Sequence, residues 1–260
     1  MERTDLKNAL LCALDLDTFD QLAPHLEHVA FARGQVLYEP GQAMSALYFP
    51  HEGVLSLLSV MEDGSAIETS TVGNESAVGL LAGLTRIASF SRVVGQTPGV
   101  ASRIRADCVR RVAEGSPELR DVIVRHCDAM LANAQQSVAC NALHDVEERF
   151  CRWLLTCHDR CDGQEMQLTQ EFLAMMLGVQ RTTVSQVAGM LQEAGLIRYQ
   201  RGRMTVCDRA GLERRACECY GRIQAHAERV LPPTAEDGPC AEHALSGAEG
   251  PPQGESGPAR

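Results

Sequence analysis

The sequence predicts an α+β chain: a small antiparallel β sandwich or barrel, then one long helix, then a winged helix-turn-helix. Three observations carry that reading. Glycine-punctuated runs rich in Val, Leu and Tyr fill Phe31 to about Ala106. After Ser116 and Pro117 nothing breaks a helix until about Leu143. The stretch "LTQEFLAMMLGVQRTTVSQVAGMLQEAGLI", Leu168 to Ile197, sets two apolar-periodic segments on either side of one glycine.

In chain order, residues 5 to 29 read as short helices, with apolar spacing through Leu6, Leu10, Leu14, Phe19, Leu22 and Leu26. The barrel region follows, its strands separated by Gly34, Gly41, Gly53, Gly64, Gly73 and Gly95, with "EDGS" (Glu62–Ser65) as a hairpin turn. Ser116 is a good N-cap and Pro117 fits the first helical position. The helix they open carries a stripe of Leu119, Ile123, Met130 and Ala134, flanked by Val122, Leu131 and Val138. One face of it would bury on the barrel. The stripe is too long for the barrel alone, and pairs either within the chain or with a second copy of itself. Asp145 to His158 is a second helix, with Trp153 in its core face, and "CDGQEMQ" is a turn. Thr169 caps a helix to Leu177, Gly178 makes the tight turn, and a further helix runs from about Gln180 to Glu193. "IRYQRGRMTV" is a strand-turn-strand wing, and Asp208 caps one last helix, "RAGLERRACECYGRIQAHAERV". The predicted units are 1–115, 116–144 and 145–231, with 232–260 as a disordered tail rich in Pro, Gly, Ala and Glu.

Composition bounds the function. The chain has 260 residues, enough for two small cores. No run of about 18 apolar residues exists, so no membrane span is expected. "MERTDLKNALLCALDLDTF" has acidic residues on both sides of its apolar part, a poor secretion signal. A cytoplasmic protein follows, and in it the eleven cysteines are expected as thiols. The densest clusters, Cys151 with Cys157 and Cys161, and Cys217 with Cys219, read as small buried residues. There is no CxxC pair and no metal-spaced His pair, so no metal site is expected. Neither a Ser/His/Asp arrangement nor a phosphate-binding glycine loop with lysine is present, which argues against an enzyme.

The net charge of −10 points away from nucleic acid, but its distribution points toward it. Gly178 to Arg215 holds seven arginines against one Asp and two Glu, while Pro232 to Arg260 is net −4. The outward residues opening the second helix are Gln180, Arg181, Thr182, Thr183, Ser185 and Gln186. These are donors and acceptors without the carboxylates that would repel phosphate. Arg forks onto guanine O6 and N7, Gln pairs with adenine, and Thr offers a hydroxyl and a methyl. Thr169, Gln170, Arg201 and Arg203 would hold phosphates.

At this point the sequence resembles the Crp/Fnr family of bacterial transcription regulators over roughly Leu22 to Asp208. The motifs are "FARGQVLYEPGQAMSALYFPHEGVLSLL" and "LTQEFLAMMLGVQRTTVSQVAGMLQEAGLIRYQRGRMTV". The resemblance implies a double-stranded, jelly-roll-like β-roll sensor, a long dimerisation helix and a C-terminal winged helix-turn-helix. It implies double-stranded DNA and a second copy of the chain as partners, and RNA polymerase if the protein activates. By position, the family's base readers fall on Arg181, Thr182 and Gln186, with Ser185 beside them. Its phosphate contacts fall on Thr169, Gln170, Gln180 and Thr183. Thr182 and Gln186 stand where cyclic-AMP-type members have Glu and Arg, so a different half-site is implied.

The sensor departs further from the pattern. Cyclic-nucleotide binders of this family use a Gly-Glu pair for the ribose and an Arg-Ser segment for the phosphate. Here Gly79 is followed by Leu80, and "SFS", Ser89 to Ser91, replaces the cationic segment. Burying a phosphate without a cation is unfavourable, so cyclic AMP in its usual pose is not expected. Arg86 and Arg92 lie near in sequence as substitutes. The N-terminal part has only Cys12, and Cys108 follows the barrel, so the family's four-cysteine iron–sulfur cluster cannot be assembled. His51 and His126 are candidate haem ligands but read more simply as core or surface residues, and Cys140 is a candidate for oxidation. The sequence names no effector. A reading of a different class keeps the winged helix as a protein-docking module of a redox- or metal-sensing protein.

Overall fold

The computed structural model describes residues 6–160 and 165–231. The disordered tail assigned to 232–260 therefore lies outside the described residues. Two short helices, α1 (Ala9–Cys12) and α2 (Leu16–Leu22), open the chain, each with a side-chain N-cap, Asn8 and Asp15. The helical reading of 5 to 29 runs too far. After a 3-10 turn at Ala23–His25 the chain extends into β1 (Glu27–Phe31). Pro24 stops the helix, and pairing with a distant strand overrides the apolar spacing through Leu26.

The β-roll comprises β1, β2 (Val36–Tyr38), β3 (Ala46–Glu52), β4 (Leu55–Val60), β5 (Ala66–Val72), β6 (Arg92–Gly95) and β7 (Gly99–Arg105). Its two antiparallel sheets run in the order β1-β7-β3 and β2-β6-β4-β5. Glu62–Ser65 lies in the turn between the paired β4 and β5, and Met61 N donates to Ser65 O at 2.8 Å. Phe31, Tyr38, Leu55, Val72, Val93 and Ala101 fill the space between the sheets.

A helix that the sequence reading missed, α3 (Ala106–Gly115), follows β7 and buries Ala106, Cys108, Val109 and Ala113. Then α4 (Pro117–Leu143) runs about 40 Å at 1.5 Å per residue. The Ser116 side chain accepts from Leu119 N at 3.0 Å, with Pro117 at the first position, as the sequence requires. The first turns of α4 close the core formed by Leu11, Leu22, Leu47 and Ile104.

The C-terminal part comprises α5 (Val146–His158), β8 (Met166–Gln167), α6 (Gln170–Leu177), α7 (Arg181–Glu193), β9 (Ile197–Gln200), β10 (Arg203–Val206), α8 (Arg209–Arg215) and α9 (Cys219–Val230). Asp145 and Glu148 form a reciprocal capping box for α5. Phe150, Leu154, Leu155, Leu173, Val184, Leu191 and Met204 make one core. Two corrections fall here. Met166 and Gln167 pair with β10 as a third strand of the wing sheet and are not part of a turn. The last helix is two helices, because Ala216 is extended (φ −73°, ψ 148°).

Candidate nucleic-acid interface

Thr169 caps α6, its hydroxyl accepting from Phe172 N at 3.2 Å. Gly178 ends it in the left-handed region (φ 64°), and a Cβ there would lie 2.8 Å from Ile67 Cδ1. Only glycine meets both demands. Gln180 is the N-cap of α7, but its side chain makes no capping bond. Val184, Val187, Ala188 and Leu191 turn inward. Arg181, Thr182, Ser185 and Gln186 are exposed, and Thr183 is half-buried. The residues assigned to base contact thus share one open surface at the start of α7. Ser185 Oγ donates back to Arg181 O at 3.1 Å. Arg181 is itself held: Nη1 pairs with Glu171 Oε1 at 2.6 Å, and Nε donates to Gln170 Oε1 at 3.1 Å. Sequence reasoning passed over Glu171, although it stands ten residues before Arg181 on the partner helix.

At the wing tip, Arg201 (φ 51°) and Gly202 (φ 74°) are both left-handed, which suits a two-residue turn between β9 and β10. A non-glycine residue there costs roughly 1 kcal/mol. Arg201 is exposed, and Arg203, also exposed, pairs with Glu165 at 3.3 Å.

The stripe assigned to dimerisation needs correction. Leu119 and Ile123 are buried in the chain's own core, 3 % and 0 % exposed, and Met130 packs against the core between the sheets. Only Ala134 is left outside a core, and it is exposed. Besides Leu143 at its last position, the large apolar side chains that α4 leaves open are Val124, Leu131 and Val138, 57 %, 57 % and 71 % exposed. They repeat every seven residues. Periodicity located an apolar stripe but could not say that this helix carries two.

The residues assigned to an effector pocket stand in different settings. Gly79 caps a short 3-10 helix in the left-handed region, Leu80 is core, Arg92 pairs with Glu39 at 2.9 Å, and Arg86 lines a separate basic cavity. Phe90 of "SFS" is 88 % exposed. A cavity of about 320 Å³ instead lies between β5, α4, α5 and α9, lined by Glu68, Thr71, His126, Asn133, Trp153 and Arg160 among others. Here the reader unit docks on the β-roll. Trp153 Nε1 donates to Glu68 Oε1 at 2.9 Å, Arg160 pairs with Glu75 at 2.6 Å, and Arg33 lies over the Phe172 ring at 5.7 Å.

His126 and His51 are both buried and engaged. Nε2 of each meets a serine hydroxyl at 2.7 Å, from Ser76 and Ser102 respectively, and burial pushes each down to about 4. These are the surroundings of core histidines. Cys12 is disulfide-bonded, against the expectation of thiols throughout. Burial raises Cys140 and pushes Cys217 up to about 12, so neither thiol is poised for oxidation.

Desolvation in the cavity wall pushes the Glu68 carboxyl up to about 7, opposed by hydrogen bonds from Ser56 and Trp153. A folded value above the ordinary 4.5 means the protonated form favours the folded state. That stabilisation is complete below pH 4.5 and is lost as pH rises through 7. Trp153 is the only tryptophan, so its fluorescence should shift across neutral pH in the wild type and stay flat in Glu68→Gln. The same transition in both chains would remove Glu68 as its cause.

One grouping was not legible in the sequence. Cys140, His144, Cys217 and Cys219 place their ligand atoms within 4.8 Å of one another, a grouping that could hold a metal ion. The available signal was Cys140 and His144 one helical turn apart, together with the "CEC" pair.

A β-roll, a long helix and a winged helix-turn-helix with bare hydrogen-bonding groups on its second helix define a transcription regulator with a DNA-binding domain. Residues 28–116 match the model of the cyclic nucleotide-binding domain, and residues 148–215 that of the Crp-like helix-turn-helix domain. The chain is 26 % identical over 185 residues to the global nitrogen regulator of Synechococcus elongatus, covering 68 % of this chain and 83 % of that one. It is 25 % identical over 202 residues to the CRP-like cAMP-activated global transcriptional regulator of Mycobacterium tuberculosis, covering 75 % and 90 %. A solved CRP/FNR-family regulator from Thermus thermophilus superposes with a TM-score of 0.61 at 24 % identity, covering 73 % and 98 %. The chain belongs to the Crp/Fnr family of transcription regulators. Among the described residues no helix is long and apolar enough to cross a membrane.

Proposed function

We propose that the chain is a homodimeric, sequence-specific regulator that sets the start of α7 into successive major grooves of an inverted repeat, half-sites about 34 Å apart. The carrying observation is the exposed row of Arg181, Thr182, Ser185 and Gln186 on a helix whose opposite face is core. Arg203, Arg201, Thr169, Gln170, Gln180 and Thr183 surround that row as phosphate contacts. Two copies join through Val124, Leu131 and Val138 of α4. The cavity at Glu68 is the place for a small effector: its volume falls in the range of ligand sites, and it touches both the β-roll and the reader unit. If the protein activates, RNA polymerase is a further partner.

Selection of bound duplex from a random pool should return an inverted repeat. Affinity for it should fall steeply between 50 and 200 mM salt, by about 10³-fold if some six phosphates are contacted. Salt-insensitive binding, or no enrichment, would favour the winged helix as a protein-docking module.

A further inference from the structure

The link between α8 and α9 contains neither glycine nor proline, yet the helix stops there, and α9 starts without a side-chain cap. The break turns Cys217 and Cys219 toward the end of α4. That end carries Cys140, and His144 as its C-cap, one turn apart. All three cysteines are buried, and His144 is half-buried. Cys140 Sγ lies 3.5 Å from Cys217 Sγ, and Cys219 Sγ lies 3.5 Å from His144 Nδ1. A tetrahedral zinc ion with bonds of about 2.3 Å to sulfur and about 2.0 Å to nitrogen has S–S edges of about 3.8 Å and S–N edges of about 3.5 Å. The observed edges are close to both. They are far too long for disulfides. They are too close for an iron–sulfur cubane, whose thiolates each take a separate iron.

The surroundings are those of a built site. His144 Nε2 meets the Glu218 carboxylate at 3.1 Å, the outer partner that orients a ligating imidazole through its other nitrogen. Gln136 Nε2 donates to Cys219 Sγ at 2.9 Å. Three thiolates and a neutral imidazole around a divalent ion leave one net negative charge. Arg152, whose buried Nε has no hydrogen-bond partner among the described residues, stands within electrostatic reach of Cys140 to balance it.

We propose that Cys140, His144, Cys217 and Cys219 bind one zinc(II) ion tetrahedrally. Binding releases three thiol protons to solvent, so affinity rises with pH. The ion fastens the end of the long helix to a segment 77 residues away at the far end of the reader unit, and so fixes the hinge between them.

The test uses the full chain, reduced and stripped of metal, titrated with Co(II) and then Zn(II). The wild type should bind one Co(II) per chain with the visible bands of tetrahedral cobalt and thiolate-to-cobalt charge transfer, displaced by one equivalent of Zn(II). Glu218→Gln, at an exposed position that leaves the fold intact, should weaken binding about 10–100-fold. Cys207→Ser, exposed and outside the cluster, should change nothing. The Cys140→Ser, Cys217→Ser double variant should lose the charge-transfer band. An octahedral cobalt spectrum without thiolate bands in the wild type overturns the site, as does undiminished affinity in both the double variant and Glu218→Gln. No DNA enters the experiment, so its failure is distinct from failure of the regulator reading.

Discussion

Glutamate at Leu131 and Val138 should leave each chain folded, convert dimers to monomers, and weaken DNA binding about 10²–10⁴-fold. The fold survives because both side chains already face solvent, 57 % and 71 % exposed, and neither belongs to a core. The proposed dimer does not, because Val124, Leu131 and Val138 repeat at seven residues, the seam period of paired helices. Like charges from two copies would then face each other where apolar side chains should interlock. Affinity falls because a dimer's second reader binds at an effective concentration set by the first, an advantage of about 10²–10⁴ that a monomer forfeits. Sedimentation of the free protein and a gel shift on an inverted repeat measure the two effects separately. Dimers that persist in the variant would move the interface off this stripe. Monomers that bind the repeat as tightly as wild type would remove dimerisation from the mechanism.

The same helix shows what a sequence can and cannot give. Ser116, Pro117 and an unbroken run fixed its start and length, since capping and propensity are local. Which of its two apolar faces is covered depends on the β-roll, and so Leu119 and Ile123 were assigned outward when they are core. The helix-turn-helix was legible almost residue by residue, because the Thr169 cap, the left-handed Gly178 and the inward Val184 and Leu191 are set by local geometry. β8 was missed because two residues become a strand only by pairing with β10. The break at Ala216 was missed because no residue there breaks a helix by itself. Long-range convergence is hardest to see: nothing near Cys217 in the chain announces Cys140. Trp153 was read as core and is 5 % exposed, yet its indole N–H also crosses to Glu68, a second role that apolar spacing cannot show.

Arg181→Ala should relax specificity at one base pair and cost about 1–3 kcal/mol of binding to the preferred site, roughly 5–150-fold. In the free chain Arg181 is occupied by Glu171 and Gln170, so reading a base means exchanging partners. The exposed ion pair given up is worth about 0–1 kcal/mol. A bidentate hold on guanine is worth more, so the exchange runs toward DNA. In the proposed complex Glu171, paired with Arg181, also sets a carboxylate beside the phosphates. Glu171→Gln should therefore raise affinity for all sequences alike and leave the preference at the Arg181 position intact. The two variants act in different ways, one on specificity and one on general attraction, and selection from a random pool separates them. Loss of preference at a single column in Arg181→Ala, with the other columns unchanged, makes this side chain a base reader. A uniform loss across all sites, with a salt slope reduced by about one, would make it a phosphate contact and move the reading function to Thr182, Ser185 and Gln186.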